Sequence, residues 1–303
     1  MRWEKRGLVY APTGDQWWAR SYAHLPTAHV RSDGTVRVYF AGLDENRFGR
    51  IGYVDVSTKD PTRVVAAGDQ PVLDLGEIGT FEDSGVVPCS VVETDEGVRL
   101  YYHGFQRTER VPYLIFAGLV ESRPKGNAFV RRTRTPLLER TEEEPFIRGA
   151  PCVLVEDGCW RMWYVSCTHW SRTEDRLHYN NEIRHATSVD GIHWQTDSLV
   201  SLKPLQPDEY SVGRPSVMRM RDGYHMWYSS RSHSVPYRIA HATSPDGRHW
   251  ERDPSFRFDP SPAGWDSEMT CYANTVCVNG QWWMFYNGNG HGRSGFGVAM
   301  LAD

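Results

Sequence analysis

The fold is decided by EYSVGRPSVMRMRDGYHMWYSSRS, at Glu209–Ser232, and by VPYRIAHATSPDGRHW, at Val235–Trp250. Between their turns these segments are rich in β-branched and aromatic residues, which is the composition of β-strands. They predict three strands and the start of a fourth, at Ser216–Met220, Tyr224–Ser229, Tyr237–Thr243 and near His249-Trp250. Their Asp-Gly dipeptides supply the positive φ that tight hairpins need. Together the two segments predict a small antiparallel sheet of four strands.

The same unit recurs along the chain. An aromatic pair on the second strand returns after 62, 62, 64 and 58 residues, as Tyr39-Phe40, Tyr101-Tyr102, Trp163-Tyr164, Trp227-Tyr228 and Phe285-Tyr286. A proline before the first strand returns in four copies, with a tyrosine in its place in the fifth, at Pro26, Pro88, Pro151, Pro215 and Tyr272. Five copies of a four-stranded unit predict an all-β fold, a five-bladed β-propeller with antiparallel blades.

The two ends of the chain predict how the last blade is completed. The fifth copy reaches Asp303 after three strands, and the N-terminal RWEKRGLVYAP, at Arg2–Pro12, compares well with WQTDSLVSLKP at 194–204 and WERDPSFRFDP at 250–260. We therefore expect the N-terminal strand to pair into the last blade and close the ring, which removes open sheet edges. Residues 1–303 then form a single domain.

Composition narrows the class of protein. The net charge of −4 argues against a broad surface for nucleic acid or anionic membranes. The six cysteines have no CxxC spacing and sit in or beside strands, so we expect buried thiols and neither a disulfide framework nor a zinc site. The N-terminal MRWEKRG lacks an apolar signal segment, and no run approaches transmembrane length. These features predict a cytoplasmic protein without nucleic-acid or membrane partners; the oligomeric state stays open.

A ligand site is predicted at one mouth of the central channel. In a propeller the first strand of each blade lines the channel, and the segments leading into these strands meet the loops after the second strands. Polar side chains concentrate there and every blade contributes, which favours a ligand site. The candidate substrate-binding residues are His24, His103, Arg148, His169, Arg214, Asp266, Asn287 and His291. The histidines among them could bind a metal, carry protons or be structural.

Carboxylates in the leading segments are the candidates for catalysis. They come from three blades and are Asp83, Glu209, Asp266 and Glu268. Cleavage of a glycosidic bond needs a protonated carboxyl group and an ionised one in the same pocket. Each of these residues could instead cap a turn or pair with a neighbouring arginine such as Arg148 or Arg214. The sequence leaves both interpretations open.

Three phrases resemble a known group of enzymes. ATSxDGxxW (within His185–Trp194 and His241–Trp250), the proline-initiated first strand with its Asp-Gly hairpin, and WDSEM followed by FYNGNGHGRSGFG resemble the five-bladed propeller glycoside hydrolases of families 43 and 32, while YSVGRPSVM, HATSxDGxHW and WDSEM are the phrases shared with a closer group. The chain most resembles an uncharacterised bacterial group labelled glycosyl hydrolase-like. Leu25-Pro26 stands where family 43 has its Asp-Pro general base, and the Asn-Asp-Pro-Asn-Gly nucleophile phrase of family 32 is absent. The resemblance implies a catalytic role for Asp83, with Glu144 or Glu209 standing in for the acid.

The resemblance implies an enzyme that cleaves or transfers the glycosyl group of a small polar glycoside or nucleotide-linked sugar, in metabolite or surface-polysaccharide biosynthesis. Asp83 and Glu268 are then the main carboxylate pair and Glu209 the third candidate. No cofactor is expected, although the relatives often hold a structural calcium ion in the channel. Because the first-blade aspartate is missing, the alternative is a non-catalytic propeller that binds a carbohydrate or metabolite. A scaffold for protein partners is the third hypothesis.

Overall fold

The structure is a computed structural model that describes residues 1–122, 128–174, 176–205 and 207–302. Strand β1, Trp3–Tyr10, precedes five groups of consecutive antiparallel strands, here called units 1 to 5. Unit 1 contains β2 (Ser21–Val30), β3 (Thr35–Leu43), β4 (Gly49–Ser57) and β5 (Val64–Ala67). Unit 2 contains β6 (Gly85–Thr94), β7 (Gly97–Arg107), β8 (Tyr113–Ser122) and β9 (Phe129–Arg131).

The remaining units follow the same plan. Unit 3 contains β10 (Arg148–Glu156), β11 (Cys159–Arg172), β12 (Leu177–Ser188) and β13 (Gln195–Leu202). Unit 4 contains β14 (Glu209–Met220), β15 (Gly223–Ser232), β16 (Arg238–Ser244) and β17 (Glu251–Arg252). Unit 5 contains β18 (Cys271–Val278), β19 (Gln281–Asn287), the single turn α1 (Asn289–Gly292) and β20 (Phe296–Leu301). The described chain is therefore nearly all β.

The units are arranged around a common centre. Single parallel bridges, of Gly49 with Gly85 and of Arg148 with Phe116, join units 1, 2 and 3 into one sheet. The first strands of the units, β2, β6, β10, β14 and β18, contact one another in that order, and β18 also contacts β2. The predicted pairing of the N-terminal strand into the last unit is confirmed, because β1 runs antiparallel to β20.

Unit 4 shows how the first strands differ from the prediction. Strand β14 begins at Glu209, well before the predicted Ser216. Its pairing with β15 continues on both sides of a register shift between Gly213 and Ser216. Such a bulge bends a strand and turns a side chain in a new direction without ending the ladder. The sequence placed the strand start at the proline because an X-Pro step commonly interrupts a regular element.

The repeated aromatic residues pack between units, as the sequence predicts. Tyr101 and Trp163 are fully buried. The hydroxyl of Tyr101 donates to the carbonyl of Gly191 in unit 3, and Nε1 of Trp163 donates to the carbonyl of Gly247 in unit 4, both at 2.8 Å. Both glycines have positive φ, 73° and 70°, as tight Asp-Gly turns require. The HATSxDGxHW phrase is thus a turn that receives an aromatic side chain of the preceding unit.

The prediction of buried thiols holds for four of the six cysteines and is wrong for Cys159 and Cys277, which lie at exposed positions of β11 and β18. All six cysteines are free, and those beside the first-strand bulges, Cys89, Cys152 and Cys271, are buried. Within the described part of the chain, no helix is long and apolar enough to cross a membrane.

Candidate functional site

A cavity of about 620 Å³ lies where the first strands begin, the second strands end and the third strands begin. Its polar and aromatic lining includes Tyr22, His24, Arg47, Ser84, His103, Arg107, Tyr113, Tyr179, Asn181, Ser211, Arg214, Ser229, Arg231, Tyr237, Tyr272 and His291. This is the mouth at which the sequence predicts a ligand site. The volume falls within the range of about 300–1,000 Å³ that is usual for small-molecule pockets.

Four first-strand residues at equivalent positions line the cavity together with Val87 of unit 2, and the five are here called the channel ring: Leu25, Val87, Ala150, Arg214 and Tyr272. All except Val87 have positive φ, between 50° and 57°. Register shifts in the first strands coincide with these positions. A residue other than glycine in this conformation costs about 1–3 kcal/mol, and such strain is concentrated at functional sites. The bulges therefore hold these side chains in the channel at an energetic cost.

Arg214 is the charged member of the channel ring. It is 3% exposed, and its guanidinium donates to the carbonyl of Cys89 at 2.6 Å and to the hydroxyl of Thr27 at 2.9 Å. Its Nε has no hydrogen-bond partner, and no described Asp or Glu forms an ion pair with it. Burial lowers the pKa of Arg214 from its ordinary value. A buried cation without a carboxylate is costly unless a ligand compensates its charge.

Three histidines of the lining are neutral at neutral pH. Burial, followed by the charge of Arg214, lowers the pKa of His103 to about 3. Burial also lowers the pKa of His24 well below 6.5, with smaller contributions from the charges of His291, His103 and Arg214. The pKa of His291 falls to about 4 for the same first reason. His103 contacts the Cys89 thiol, with 3.3 Å between Nδ1 and Sγ.

A cluster of tyrosines around Arg231 forms one wall of the cavity. The hydroxyls of Tyr179 and Tyr237 lie 2.7 Å apart, and Nη1 of Arg231 donates to both, at 2.5 and 3.2 Å. Tyr113 and Tyr272 complete the cluster, and burial raises the pKa of each well above 10. Tyr113 and Tyr272 are therefore neutral donors at neutral pH.

The tyrosines of this wall are not among the residues predicted from the sequence, because the predicted site consisted only of first strands and second-strand loops. The signal was present. Val111-Pro112-Tyr113 and Val235-Pro236-Tyr237 are the same triplet, each next to the start of a third strand. A repeated proline-tyrosine step at a strand start, in a chain of repeats, indicates side chains that meet around the axis.

The cavity combines positive charge with an absence of acids. The arginines that line it are Arg47, Arg107, Arg214 and Arg231, and no Asp or Glu of the described residues does so. None of the four takes part in an ion pair with a described carboxylate. A site of this composition favours a ligand that supplies negative charge.

The structure brings together half of the predicted substrate-binding residues. His24, His103, Arg214 and His291 line the cavity, whereas Arg148, His169, Asp266 and Asn287 do not. Asn287 is buried and its amide holds backbone groups of Ala23, Leu25 and Gly295 at 2.7–2.9 Å. His169 is exposed and contacts the neighbouring Thr168 hydroxyl.

Carboxylates before the first strands form a repeated structural contact that the sequence reasoning did not recognise. Glu82, Glu144 and Asp266 each accept a hydrogen bond from the hydroxyl of a tyrosine 20 residues further on, at 2.7, 2.9 and 2.9 Å. Each also pairs with a cation, and the partners are Arg131, Arg148 and Lys5 at 2.7–2.9 Å. These buried carboxylates therefore fasten the leading segment to its own unit.

The three proposed catalytic carboxylates lie away from the cavity surface. Glu209 is buried and pairs with Arg252 at 2.9 Å, because its unit repeats the same carboxylate–cation arrangement. Asp83 is half-buried and accepts hydrogen bonds from the Gly79 amide at 3.0 Å and the Ser84 hydroxyl at 2.7 Å. Glu268 is exposed. None of the three is among the lining residues, so the expected convergence in the channel is not seen.

The lining does not fit the calcium ion that the resemblance implies. Calcium takes oxygen ligands, carboxylates above all. The described lining has no carboxylate, and Arg214 places a positive charge on the channel ring. No group of three or more His, Cys, Asp or Glu side chains among the described residues could hold a metal ion.

Comparison with solved structures defines the class by fold. A glycosyl hydrolase from Bacteroides ovatus aligns with a TM-score of 0.76 and 16% identity, over 99% of this chain and 93% of its own. A structure described with the GH130 family of mannoside phosphorylases, which contains glycoside hydrolases for β-1,2 mannosidic linkages in Candida mannan, aligns with a TM-score of 0.73 and 16% identity over the same shares. A thermostable family-43 glycoside hydrolase aligns at 0.67 and 14% identity, over 92% of this chain and 88% of its own. The chain therefore has the fold of the glycoside hydrolase propellers.

Within that class the chain belongs to the family of two Mycobacterium tuberculosis proteins. It is 35% identical, over 304 residues and the full length of each protein, to the uncharacterised proteins MT1551 of strain CDC 1551 and Rv1502 of strain H37Rv. No family model matches the chain.

Proposed function

We propose that the five units are the blades of one closed, five-bladed propeller domain that spans residues 1–303. The cyclic contacts of the first strands and the pairing of β1 with β20 support this arrangement. The pairing covers the edge of β20 and joins both ends of the chain in one unit, which accounts for the position of the N-terminal strand beside the C-terminal one.

We further propose that the central cavity binds a small polar glycoside, free or nucleotide-linked, and that the protein cleaves or transfers its glycosyl group. The observation that carries this proposal is the lining of the cavity, which combines tyrosine rings with arginine, histidine and serine donors. Sugars present apolar faces to aromatic rings and hydroxyl groups to polar side chains. The solved structures that share the fold include proteins described as glycoside hydrolases and mannoside phosphorylases.

Carboxylate acid–base chemistry stays a hypothesis within this proposal. Asp83 is its first candidate, because the adjacent Ser84 lines the cavity. Glu268 is the second, since its backbone amide donates to Asn289 in the turn that carries His291. Glu209 is the weakest of the three, because both of its oxygens are occupied by Arg252.

A non-catalytic binding protein is the second candidate function. The specific observation in its favour is that no Asp or Glu of the described residues lines the cavity. Binding needs the donors and the aromatic rings, whereas glycosidic cleavage by the usual route also needs an acid and a base. The cytoplasmic location and the absence of nucleic-acid and membrane partners stay predictions from the sequence.

The test is to incubate the purified protein with oligosaccharides, aryl glycosides and sugar nucleotides, with and without inorganic phosphate, and to detect products by chromatography. Asp83→Asn and Glu268→Gln are compared with Asp95→Asn, an exposed aspartate in the hairpin at the far end of unit 2. Turnover that Asp95→Asn keeps and the other two lose supports carboxylate catalysis. Saturable binding without product after long incubation favours the binding protein. If no compound binds at millimolar concentration, the glycoside proposal is wrong.

A further inference from the structure

The central cavity is positively charged, and the described residues supply no negative charge to compensate it. Four arginines line the cavity and no described carboxylate does. Arg214 is buried and Arg231 is half-buried, whereas Arg47 and Arg107 are exposed to solvent and need no partner from the protein. Proteins normally pair a buried or half-buried guanidinium with a carboxylate, since an unpaired charge removed from water is costly. The three lining histidines add no negative charge, and they are neutral at neutral pH. The compensating charge is therefore expected to come from a ligand.

Arg231 is the arginine best arranged to bind that ligand. Hydrogen bonds from its Nη1 to the hydroxyls of Tyr179 and Tyr237 fix one edge of the guanidinium. The rings of Tyr179, Tyr210 and Tyr237 surround it, with centroids 5.0–5.2 Å from the guanidinium carbon. The Tyr210 hydroxyl also hydrogen-bonds the guanidinium, and no described carboxylate forms an ion pair with it. A guanidinium held in this way offers two parallel N–H donors, which match the oxygens of a carboxylate or phosphate.

The tyrosine hydroxyls add donors to the same wall. Tyr179 and Tyr237 share one hydrogen bond of 2.7 Å, and both accept from Arg231. Two hydroxyl groups carry two protons, of which their mutual bond uses one. Tyr179 also hydrogen-bonds Tyr113, and Tyr237 also hydrogen-bonds Tyr272, so four hydroxyl groups with four protons share three mutual bonds. One proton of this network is left for a further acceptor. The wall therefore presents N–H and O–H donors, which is the complement of an oxyanion.

We propose that the ligand of this cavity carries a carboxylate or a phosphate group, and that Arg231 binds this group through the edge of its guanidinium opposite the tyrosine contacts. The inference deepens the proposed function, on which it rests for the sugar part of the ligand. The positive charges of Arg47, Arg107 and Arg214 favour the same anion without contacting it. Neutral glycosides should bind more weakly than anionic ones of the same size.

The test uses isothermal titration calorimetry on the full chain at low ionic strength, where charge–charge attraction is least screened. The probes are methyl glucoside, glucuronic acid and glucose 6-phosphate, with acetate and inorganic phosphate alone as simple anions. Arg231→Gln removes the positive charge, and Arg231→Lys keeps the charge but lacks the two parallel N–H donors of the planar guanidinium. Arg221→Gln is the matched control. Arg221 is exposed in the turn between β14 and β15, at the opposite end of the unit.

We expect the anions to bind the wild type and the Arg221→Gln variant equally. Hydrogen bonds to charged groups contribute about 1.5–3 kcal/mol, so Arg231→Gln should weaken binding ~10- to 100-fold, and Arg231→Lys should lie between. Circular dichroism of each variant establishes that it is folded. Equal anion affinity in wild type and Arg231→Gln would overturn the inference.

The experiment separates this inference from the glycoside proposal. If methyl glucoside binds as tightly as its anionic counterparts, and Arg231→Gln leaves that binding unchanged, the anion subsite is wrong and the glycoside proposal stands. If acetate or inorganic phosphate binds through Arg231 and none of the sugars binds more tightly than these simple anions, the anion subsite is confirmed and the glycoside proposal loses its support. The affinities for glucuronic acid and glucose 6-phosphate show whether the anionic group is a carboxylate or a phosphate.

Discussion

Replacing Glu144 by alanine tests whether the carboxylates before the first strands hold the fold together. Glu144 and its partner Arg148 are 4% and 3% exposed, and their charged atoms lie 2.9 Å apart. Tyr164 donates to the same carboxylate at 2.9 Å. Removing one partner of a buried pair leaves the other charge uncompensated, which costs about 3–5 kcal/mol. We therefore expect the free energy of unfolding to fall by that amount in Glu144→Ala.

The matched comparison is a pair of the same chemistry at the surface. Glu77 and Arg134 are 71% and 78% exposed and lie 2.6 Å apart. Exposed ion pairs contribute about 0–1 kcal/mol, so Glu77→Ala should hardly change stability. Urea unfolding followed by tryptophan fluorescence gives both values, provided that the slope of the transition is unchanged.

The double variant Glu144→Ala/Arg148→Met extends the test. Because the double variant also removes the unpaired charge of Arg148, it should recover part of the stability that Glu144→Ala loses. A loss of less than about 1 kcal/mol in Glu144→Ala, or a loss equal to that of Glu77→Ala, would show that burial does not decide the role of this carboxylate. The structural interpretation of the repeated carboxylate–tyrosine contact would then be wrong.

Three further predictions concern packing, pH and closure. Gly52→Ala would place a Cβ 1.9 Å from a ring atom of the buried Trp18, so we expect a loss of about 1–3 kcal/mol or more, measured by thermal unfolding. Stability should fall as the pH drops from 6.5 towards 3, because the unfolded chain binds protons on His103 and His291 that the folded protein does not bind until the pH reaches their lowered pKa values, about 3 and 4. In His291→Asn the urea midpoint should therefore depend less on pH than in the wild type. An unchanged pH dependence would contradict this assignment. Deleting β1 should expose the edge of β20, and we expect association on size-exclusion chromatography; a monomer as stable as the wild type would argue against a closed ring.

Local patterns were sufficient to predict the strands and their repetition. The hairpin of β14 and β15 follows from alternating apolar residues around an Asp-Gly turn, and both elements are encoded within a few residues. The aromatic pairs repeat because every unit must fill the same space beside its neighbour, which Tyr101 and Trp163 do through the turns at Gly191 and Gly247. Periodic burial leaves a periodic sequence, so this part of the fold could be predicted.

The site was predictable only in part, because the direction of individual side chains decides which residues line the cavity. Arg214 and Arg148 both lie in segments that lead into a first strand, yet one joins the channel ring and the other pairs with Glu144. Arg214 directly precedes its proline and occupies the bulged position with positive φ, whereas Arg148 lies two residues before the equivalent Ala150. The spacing separates the two arginines, but only the bulge shows which of the two positions lines the cavity. Asp83 was chosen by position and chemistry, and its side chain instead accepts hydrogen bonds from Gly79 and Ser84.

The sequence by itself determined the repeated unit, the strand order within it and the pairing partner of the N-terminal strand, since these depend on turn chemistry and on the alternation of side chains along a strand. Only the tertiary structure decided the character of the site. The first strands of the units contact one another, so a cavity gathers side chains that are more than 60 residues apart, such as Tyr113 and Tyr237. The buried carboxylates turn away to pair within their own units, and the arginines are left facing the cavity. Charge balance in three dimensions, which no single segment contains, therefore gives the cavity its preference for an anion.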